Sequence, residues 1–259
     1  MRIFVNGASG FIGSHLCPAL AAAGHELGVS VEGCDAVVHL ANIAHTSANP
    51  AELQRVNVEG TIAHAKAALA AGARRFVYLS SIKAAQPDDT YGHAKAVAEQ
   101  ALLQMEGLNA AILRPPLVYG PRVKANFLAL LRAVDRGWPL PLASVENRRS
   151  LIYVGNLVDA ILCCLDVPVL KKLFAVSDGA SVSTPELCRA IARALGRPAR
   201  LFPFPPALLE LAGGERARRL TRSLVVDDSA IRSELGWRPP YTLEEGLRIT
   251  AEWYRAQRR

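Results

Sequence analysis

A chain of 259 residues, 51% hydrophobic and 20% charged, can bury a large core, which excludes a disordered or fibrous protein. Its net charge of +7 is spread along the sequence, and the densest cluster, Glu215-Arg216-Ala217-Arg218-Arg219, reads as a solvated helix face, so no nucleic-acid partner is expected. No window approaches about 18 uninterrupted apolar residues, which argues against a membrane span.

Met1-Arg2 runs directly into a strand pattern, Met1–Val5, without a signal-peptide profile. Gly7-Ala8-Ser9-Gly10-Phe11-Ile12-Gly13 follows and leads into a helix to about Ala23. A glycine-rich turn between strand and helix is a phosphate cradle: Gly7 allows the turn, Gly10 lets backbone approach a pyrophosphate, and Gly13 permits close packing. The N–H groups around Phe11 and Ile12 open the helix and face the phosphates.

The next stretch is anomalous. Residues 25–31 read as a second strand and Asp35–Leu40 as a third, joined by Glu32-Gly33-Cys34 alone. Parallel neighbours need a crossover of about a dozen residues, so either this unit is abbreviated or a loop is absent from it. Similar seams stand near Ala85-Gln86 and Gly213-Gly214. Glu32 has the spacing of a ribose-reading acid but reads better as the end of an element before Asp35, which leaves NAD and NADP equally open.

A helix over 51–71, a strand Arg75–Leu79 ending at Ser80-Ser81, a helix from Tyr91 to Met105 and a strand Ala110–Leu113 complete an alternating pattern. That pattern predicts an α/β, Rossmann-like doubly wound parallel sheet, with reactive residues just past the carboxyl ends of strands. The expected boundaries are 1–120 for the dinucleotide-binding domain, with 150–175 returning to it, and 121–149 with 176–259 for a smaller substrate-binding lobe.

Tyr91 and Lys95 are the sole Tyr-x-x-x-Lys spacing in the chain, which has six Tyr. Four residues apart on a helix, they share a face. A tyrosine of pKa about 10 is a poor base at neutral pH, but a neighbouring cation stabilises its phenolate, so the pair reads as a proton-transfer device. His39, His45 and His93 read as structural or surface groups, and no metal is expected. The five cysteines (Cys17, Cys34, Cys163, Cys164, Cys188) show no Cys-x-x-Cys spacing and read as buried thiols of a reducing, cytoplasmic setting.

Taken together, the glycine turn, the Asp35–Ala41 strand, Ser80-Ser81, Tyr91-x-x-x-Lys95, the run Arg114-Pro115-Pro116-Leu117-Val118-Tyr119-Gly120-Pro121, the segment from Arg149 to Val154 and the stretch Asp227 to Trp237 resemble the extended short-chain dehydrogenase/reductases that act on nucleotide sugars. The resemblance implies that Tyr91 is the acid/base and that Ser81 bonds the reacting oxygen. It implies further that Lys95 holds the nicotinamide ribose of NAD or NADP and, together with the positive charge of the oxidised ring, depresses the Tyr91 pKa. Leu40, Ala41 and Pro115 would line the cofactor site, and Asn57 matches a helix asparagine of structural character. On the substrate side, Asn126 and Arg149 would meet the diphosphate of a UDP-sugar and Leu142 its base, with Arg222 a weaker candidate. Trp237 and Trp253 would anchor the smaller lobe, and helices 51–71 and 91–105 would form a homodimer contact.

Departures from the pattern separate reactions. The 4,6-dehydratases follow the catalytic Ser/Thr with Asp-Glu, where this chain has Ile82-Lys83, and many 4-epimerases carry asparagine where Leu117 stands. The run from Arg114 through Asp159, including Val123-Lys124-Ala125-Asn126-Phe127, resembles bacterial reductases of UDP-4-keto-6-deoxy-N-acetylhexosamine, which implies a C4 keto-reductase for surface polysaccharide first and a UDP-glucose or UDP-N-acetylglucosamine 4-epimerase second. A non-catalytic cofactor sensor is the alternative of another class, disfavoured by the retained Ser81, Tyr91 and Lys95.

Overall fold

In a computed structural model that describes residues 1–43, 49–73, 75–168 and 170–258, the elements run β1 (Arg2–Asn6), α1 (Gly13–Ala22), β2 (Glu26–Gly28), β3 (Ala36–His39), α2 (Pro50–Leu53), α3 (Gly60–Ala70), β4 (Arg75–Leu79), α4 (Thr90–Gln104) and β5 (Asn109–Arg114). They continue as β6 (Leu117–Tyr119), α5 (Ala125–Asp135), β7 (Arg149–Tyr153), α6 (Val154–Asp166), β8 (Lys172–Ala175), β9 (Ser181–Val182), α7 (Thr184–Leu195), α8 (Pro206–Thr221), α9 (Ser229–Leu235) and α10 (Leu243–Ala256). A π-helical turn, Gln54–Glu59, joins α2 to α3, and a 3-10 turn, Ile82–Ala84, lies between β4 and α4. Among the described residues no helix is long and apolar enough to cross a membrane.

The chain divides into two units, the first comprising 1–116, 156–176 and 227–238. Its sheet runs β2-β1-β3-β4-β5-β8 with every neighbouring pair parallel. Central strands covered on both faces need continuous apolar runs, and β3 and β4 supply them. Val37, Phe76, Tyr78 and Ile112 pack with Ala65, Ala68, Ala98 and Leu102, where alanines let α3 and α4 approach the strands closely.

The abbreviated second unit is resolved by register. β2 and β3 are not neighbours but flank β1, and β2 stops at Gly28 rather than reaching residue 31. Gly28 lies opposite Phe4 and Ala36 opposite Ile3, so the chain leaves β2 and enters β3 at almost the same height along the sheet. The seven residues 29–35 reach roughly 23 Å, ample for about 10 Å across one intervening strand. Asp35 fastens the return, its N–H donating to the Arg2 carbonyl at 2.8 Å and its carboxylate accepting from the Arg2 N–H at 2.7 Å.

The second unit comprises 117–155, 177–226 and 239–259. Its sheet, β6-β7-β9, has one parallel and one antiparallel pair. Asp178 ties it together, accepting from the Tyr153 N–H at 2.8 Å and the Tyr119 hydroxyl at 3.0 Å. Ser183 with Glu186 and Thr242 with Glu245 form capping boxes that start α7 and α10. The seam at Gly213-Gly214 lies inside α8, interrupted at Gly214 (φ +53°).

Residues 227–238 differ from the sequence expectation, since they belong to the first unit and not to the smaller lobe. Trp237 fixes them there: it is buried, and its indole N–H donates to Asp159 at 2.8 Å. Ile231 of α9 is buried as well, and α9 packs beside β8.

Candidate active site

The glycine turn closes over the end of β3. Gly7 takes φ +91°, and a Cβ there would lie 2.9 Å from the Ala41 nitrogen, so the turn and Leu40-Ala41 meet at backbone distance. Both Leu40 and Ala41 donate N–H bonds to the Asn6 carbonyl, at 2.9 and 3.1 Å. A Cβ on Gly13 would fall 2.4 Å from the Gly7 carbonyl oxygen and 2.5 Å from that of Ala8. The first intrahelical bond is Ser14 N–H to Gly10 at 2.9 Å, so the N–H groups of Phe11, Ile12 and Gly13 precede it. Backbone donors at a turn opened by three glycines fit a dinucleotide pyrophosphate.

Ser81 caps the 3-10 turn, accepting from the Lys83 N–H at 3.3 Å, and the Ile82 N–H donates to the Pro115 carbonyl at 3.0 Å. Pro115 is thereby held beside the end of β4. The connector from Ser81 to Tyr91 is short and braced: Lys83 pairs with Asp89, and Asp89 caps α4 by accepting from the Gly92 N–H at 2.7 Å. Gly92 has no room for a side chain, because a Cβ would lie 2.6 Å from the Lys83 carbonyl oxygen. Local contacts thus replace a longer loop.

Tyr91 and Lys95 share a face of α4 as their spacing predicts, but their electrostatics differ from expectation. Lys95 is completely buried, and burial pulls its pKa from 10.5 to about 7, partly offset by Glu99. Its ammonium donates to the Leu79 carbonyl at 2.7 Å and sits 4.5 Å from the centre of the Tyr78 ring, against 5.9 Å for Tyr91. Burial and the Asp89 charge push Tyr91 up to about 12, against which a hydrogen bond from Ser81 acts in the opposite direction. Lys95 therefore does not depress the Tyr91 pKa in the protein alone. The physical reason is desolvation, which weakens the cation and the phenolate together.

Around this pair, His39 is buried and neutral, with burial lowering its pKa to about 3. It bonds Asn6 at 3.0 Å and Thr61 at 3.2 Å, while Asn57 grips both backbone groups of Ile43 at 2.9 Å. These are structural roles, as expected. His93 is exposed, and His45 lies outside the described residues. Among the described residues no group of three His, Cys, Asp or Glu forms a metal site, and all five cysteines are free thiols.

Sequence reading missed Glu99 and Arg114. Glu99 accepts from Ser80 Oγ at 2.5 Å and from Arg114 through Nε at 2.9 Å and a terminal nitrogen at 2.5 Å. Ser80, at the end of β4, thus ties that strand to α4 through Glu99. The available signal was the four-residue step Tyr91, Lys95, Glu99.

The remaining candidates belong to the second unit. Asn126 is exposed in the first turn of α5 after Ala125, whose φ is +52°. Leu142 is buried at 3% exposure. Arg149 is half-buried on β7 and donates to the Arg222 carbonyl at 2.9 Å, while the Arg222 side chain pairs with Glu210 at 3.6 Å.

Known proteins are similar to this chain in sequence and fold. The model of the NAD dependent epimerase/dehydratase family matches residues 29–173. A UDP-glucose 4-epimerase of Vibrio cholerae is 40% identical over 83% of this chain and 75% of its own. A ceramide reductase of Caulobacter vibrioides is 28% identical over 98% of this chain and 94% of its own, in an alignment of 305 positions, so that relative has internal residues for which this chain has none. The structure of RMD from Pseudomonas aeruginosa complexed with NADPH shares the fold with a TM-score of 0.81 at 24% identity, over 99% of this chain and 98% of that one. The chain belongs to the NAD-dependent epimerase/dehydratase family, and is an NAD- or NADP-dependent enzyme of the extended short-chain dehydrogenase/reductase type.

Proposed function

We propose that the chain reduces a 4-keto UDP-hexose or UDP-N-acetylhexosamine at C4, with Tyr91, Ser81 and Lys95 as the working side chains. The observation that carries this reading is geometric: α4 sets Tyr91 and Lys95 on one face, and burial keeps the Tyr91 phenol protonated beside the Ser81 hydroxyl. A protonated phenol is an acid, set to deliver its proton to a carbonyl oxygen as the adjacent carbon becomes an alcohol. When bound, the reduced nicotinamide supplies the hydride that completes the alcohol. Ser81 holds the reacting oxygen, and Lys95, already oriented by Leu79, presents its ammonium to the cofactor ribose. Gly7, Gly10 and Gly13, with the N–H groups of Phe11 and Ile12, hold the pyrophosphate, and Leu40, Ala41 and Pro115 line the cofactor.

On the substrate side, Arg149 and Asn126 take the diphosphate, consistent with guanidinium recognition of phosphate, and Leu142 is the apolar residue assigned to the base. A second reading, 4-epimerisation with retained cofactor, is favoured by the Vibrio cholerae relative. Incubation with UDP-4-keto-6-deoxy-N-acetylglucosamine and NADH or NADPH, beside UDP-glucose alone, separates the two. Cofactor oxidation in step with keto sugar consumed supports the reductase; UDP-galactose formed without added cofactor establishes the epimerase instead.

A further inference from the structure

Glu99 has no part in the proton or hydride transfer, yet it is 2% exposed and ionically paired. Burying a carboxylate is expensive unless its oxygens are satisfied, and here they are satisfied by residues adjoining the site. Ser80 directly precedes Ser81 at the end of β4, and Arg114 directly precedes Pro115 at the end of β5. Glu99 itself lies one helical turn beyond Lys95 on α4. One carboxylate therefore joins the three elements that carry Ser81, Pro115 and the Tyr91/Lys95 pair.

We propose that Glu99 is a positioning residue that clamps the ends of β4 and β5 to α4 and holds a fixed negative charge one helical turn from the Lys95 ammonium. The inference rests on the site assignment above. The titratable groups facing Lys95 are Tyr78 from β4, His39 from β3, and Tyr91 and Glu99 from α4. Both tyrosines are protonated and His39 is neutral at neutral pH, so Glu99 is the anion of that set. Arg114 orients it by a two-pronged bond, which fixes the charge at one place.

The test is the pH dependence of NADH binding, read by cofactor fluorescence, together with kcat, in wild type, Glu99→Gln, Glu99→Asp, Ser80→Ala and Lys95→Met. Glu99→Gln is expected to move the alkaline limb of both profiles down by about half a pH unit or more and to lower kcat by about tenfold. Glu99→Asp, with the charge kept and the reach shortened, is expected to return the limb but not kcat. Ser80→Ala is expected to leave the limb in place and lower kcat about threefold. A folded Glu99→Gln protein with an unmoved limb overturns the proposal. Should Glu99→Gln fail to fold, a wild-type kcat in either Glu99→Asp or Ser80→Ala overturns it. If Lys95→Met itself retains the wild-type NADH profile, the site assignment fails and this role with it; a profile moved by Lys95→Met but not by Glu99→Gln refutes the role of Glu99 alone.

Discussion

Lys95 is stabilised as a base and destabilised as a cation by the same burial, and this gives the protein a measurable pH signature. Its folded pKa, about 7, is below the ordinary 10.5, so between these values the folded chain binds fewer protons than the unfolded one. The contribution to stability is complete above the unfolded value and is lost as pH falls through 7. Tyr91 acts with the opposite sign but only above pH 10, where its raised pKa begins to matter. Between about pH 6.5 and 9.5 the Lys95 effect stands alone among these two, on the order of 3 kcal/mol. Chemical denaturation of wild type and Lys95→Met across that range is expected to show the advantage of the Met variant shrinking steadily with rising pH. A constant difference would contradict the burial account of Lys95.

At the scale of elements, the glycine turn separates two demands that a motif pattern cannot distinguish. Gly13 has backbone oxygens at 2.4 and 2.5 Å from a would-be Cβ, and backbone cannot swing aside as a side chain can. Gly10 meets a single oxygen at 3.2 Å, so its freedom serves the ligand side of the cradle. Gly13→Ala is expected to cost about 1–3 kcal/mol in thermal or denaturant unfolding, whereas Gly10→Ala is expected to stay within about 1 kcal/mol of wild type and weaken NADH binding. Equal losses of stability would refute the division. The cap of α4 makes a further demand: Asp89→Ala removes the bond to the Gly92 N–H and the partner of Lys83, with an expected cost of about 0.5–2 kcal/mol in the same assay.

Element boundaries also show where sequence reasoning stops. The strand from Arg75 to Leu79 is legible as a short continuous apolar run and the helix carrying Tyr91 from its length, although the buried face of that helix carries Lys95 and Glu99. The β2 to β3 connection was not, since the objection to its length assumed neighbouring strands. Strand order is a property of the sheet, and no local pattern around residues 29–35 encodes that β1 lies between them.

Over the whole molecule, the parallel sheet was legible from alternating strand and helix patterns, and the glycine turn and the Tyr91/Lys95 pair from residue type at fixed spacing, whereas Ser81 came only with the family resemblance. The pKa relation between Tyr91 and Lys95 was not legible, because desolvation depends on the packed surroundings of both. The docking of residues 227–238 onto the first unit was hidden for a similar reason: it depends on Asp159 and Trp237, 78 residues apart. The alignment with the longer ceramide reductase agrees with a chain whose connectors are short, and the Lys83–Asp89 brace shows how one such connector holds its shape.

The claim on which all of this turns is that Tyr91 transfers the proton. Tyr91→Phe removes one hydroxyl and retains the ring packed near Lys95, so it separates chemistry from binding. Turnover of the keto sugar, measured beside NADH affinity, is expected to fall by about 10²–10⁴-fold while cofactor binding stays within about threefold of wild type. A Tyr91→Phe protein that turns over at the wild-type rate would contradict the account.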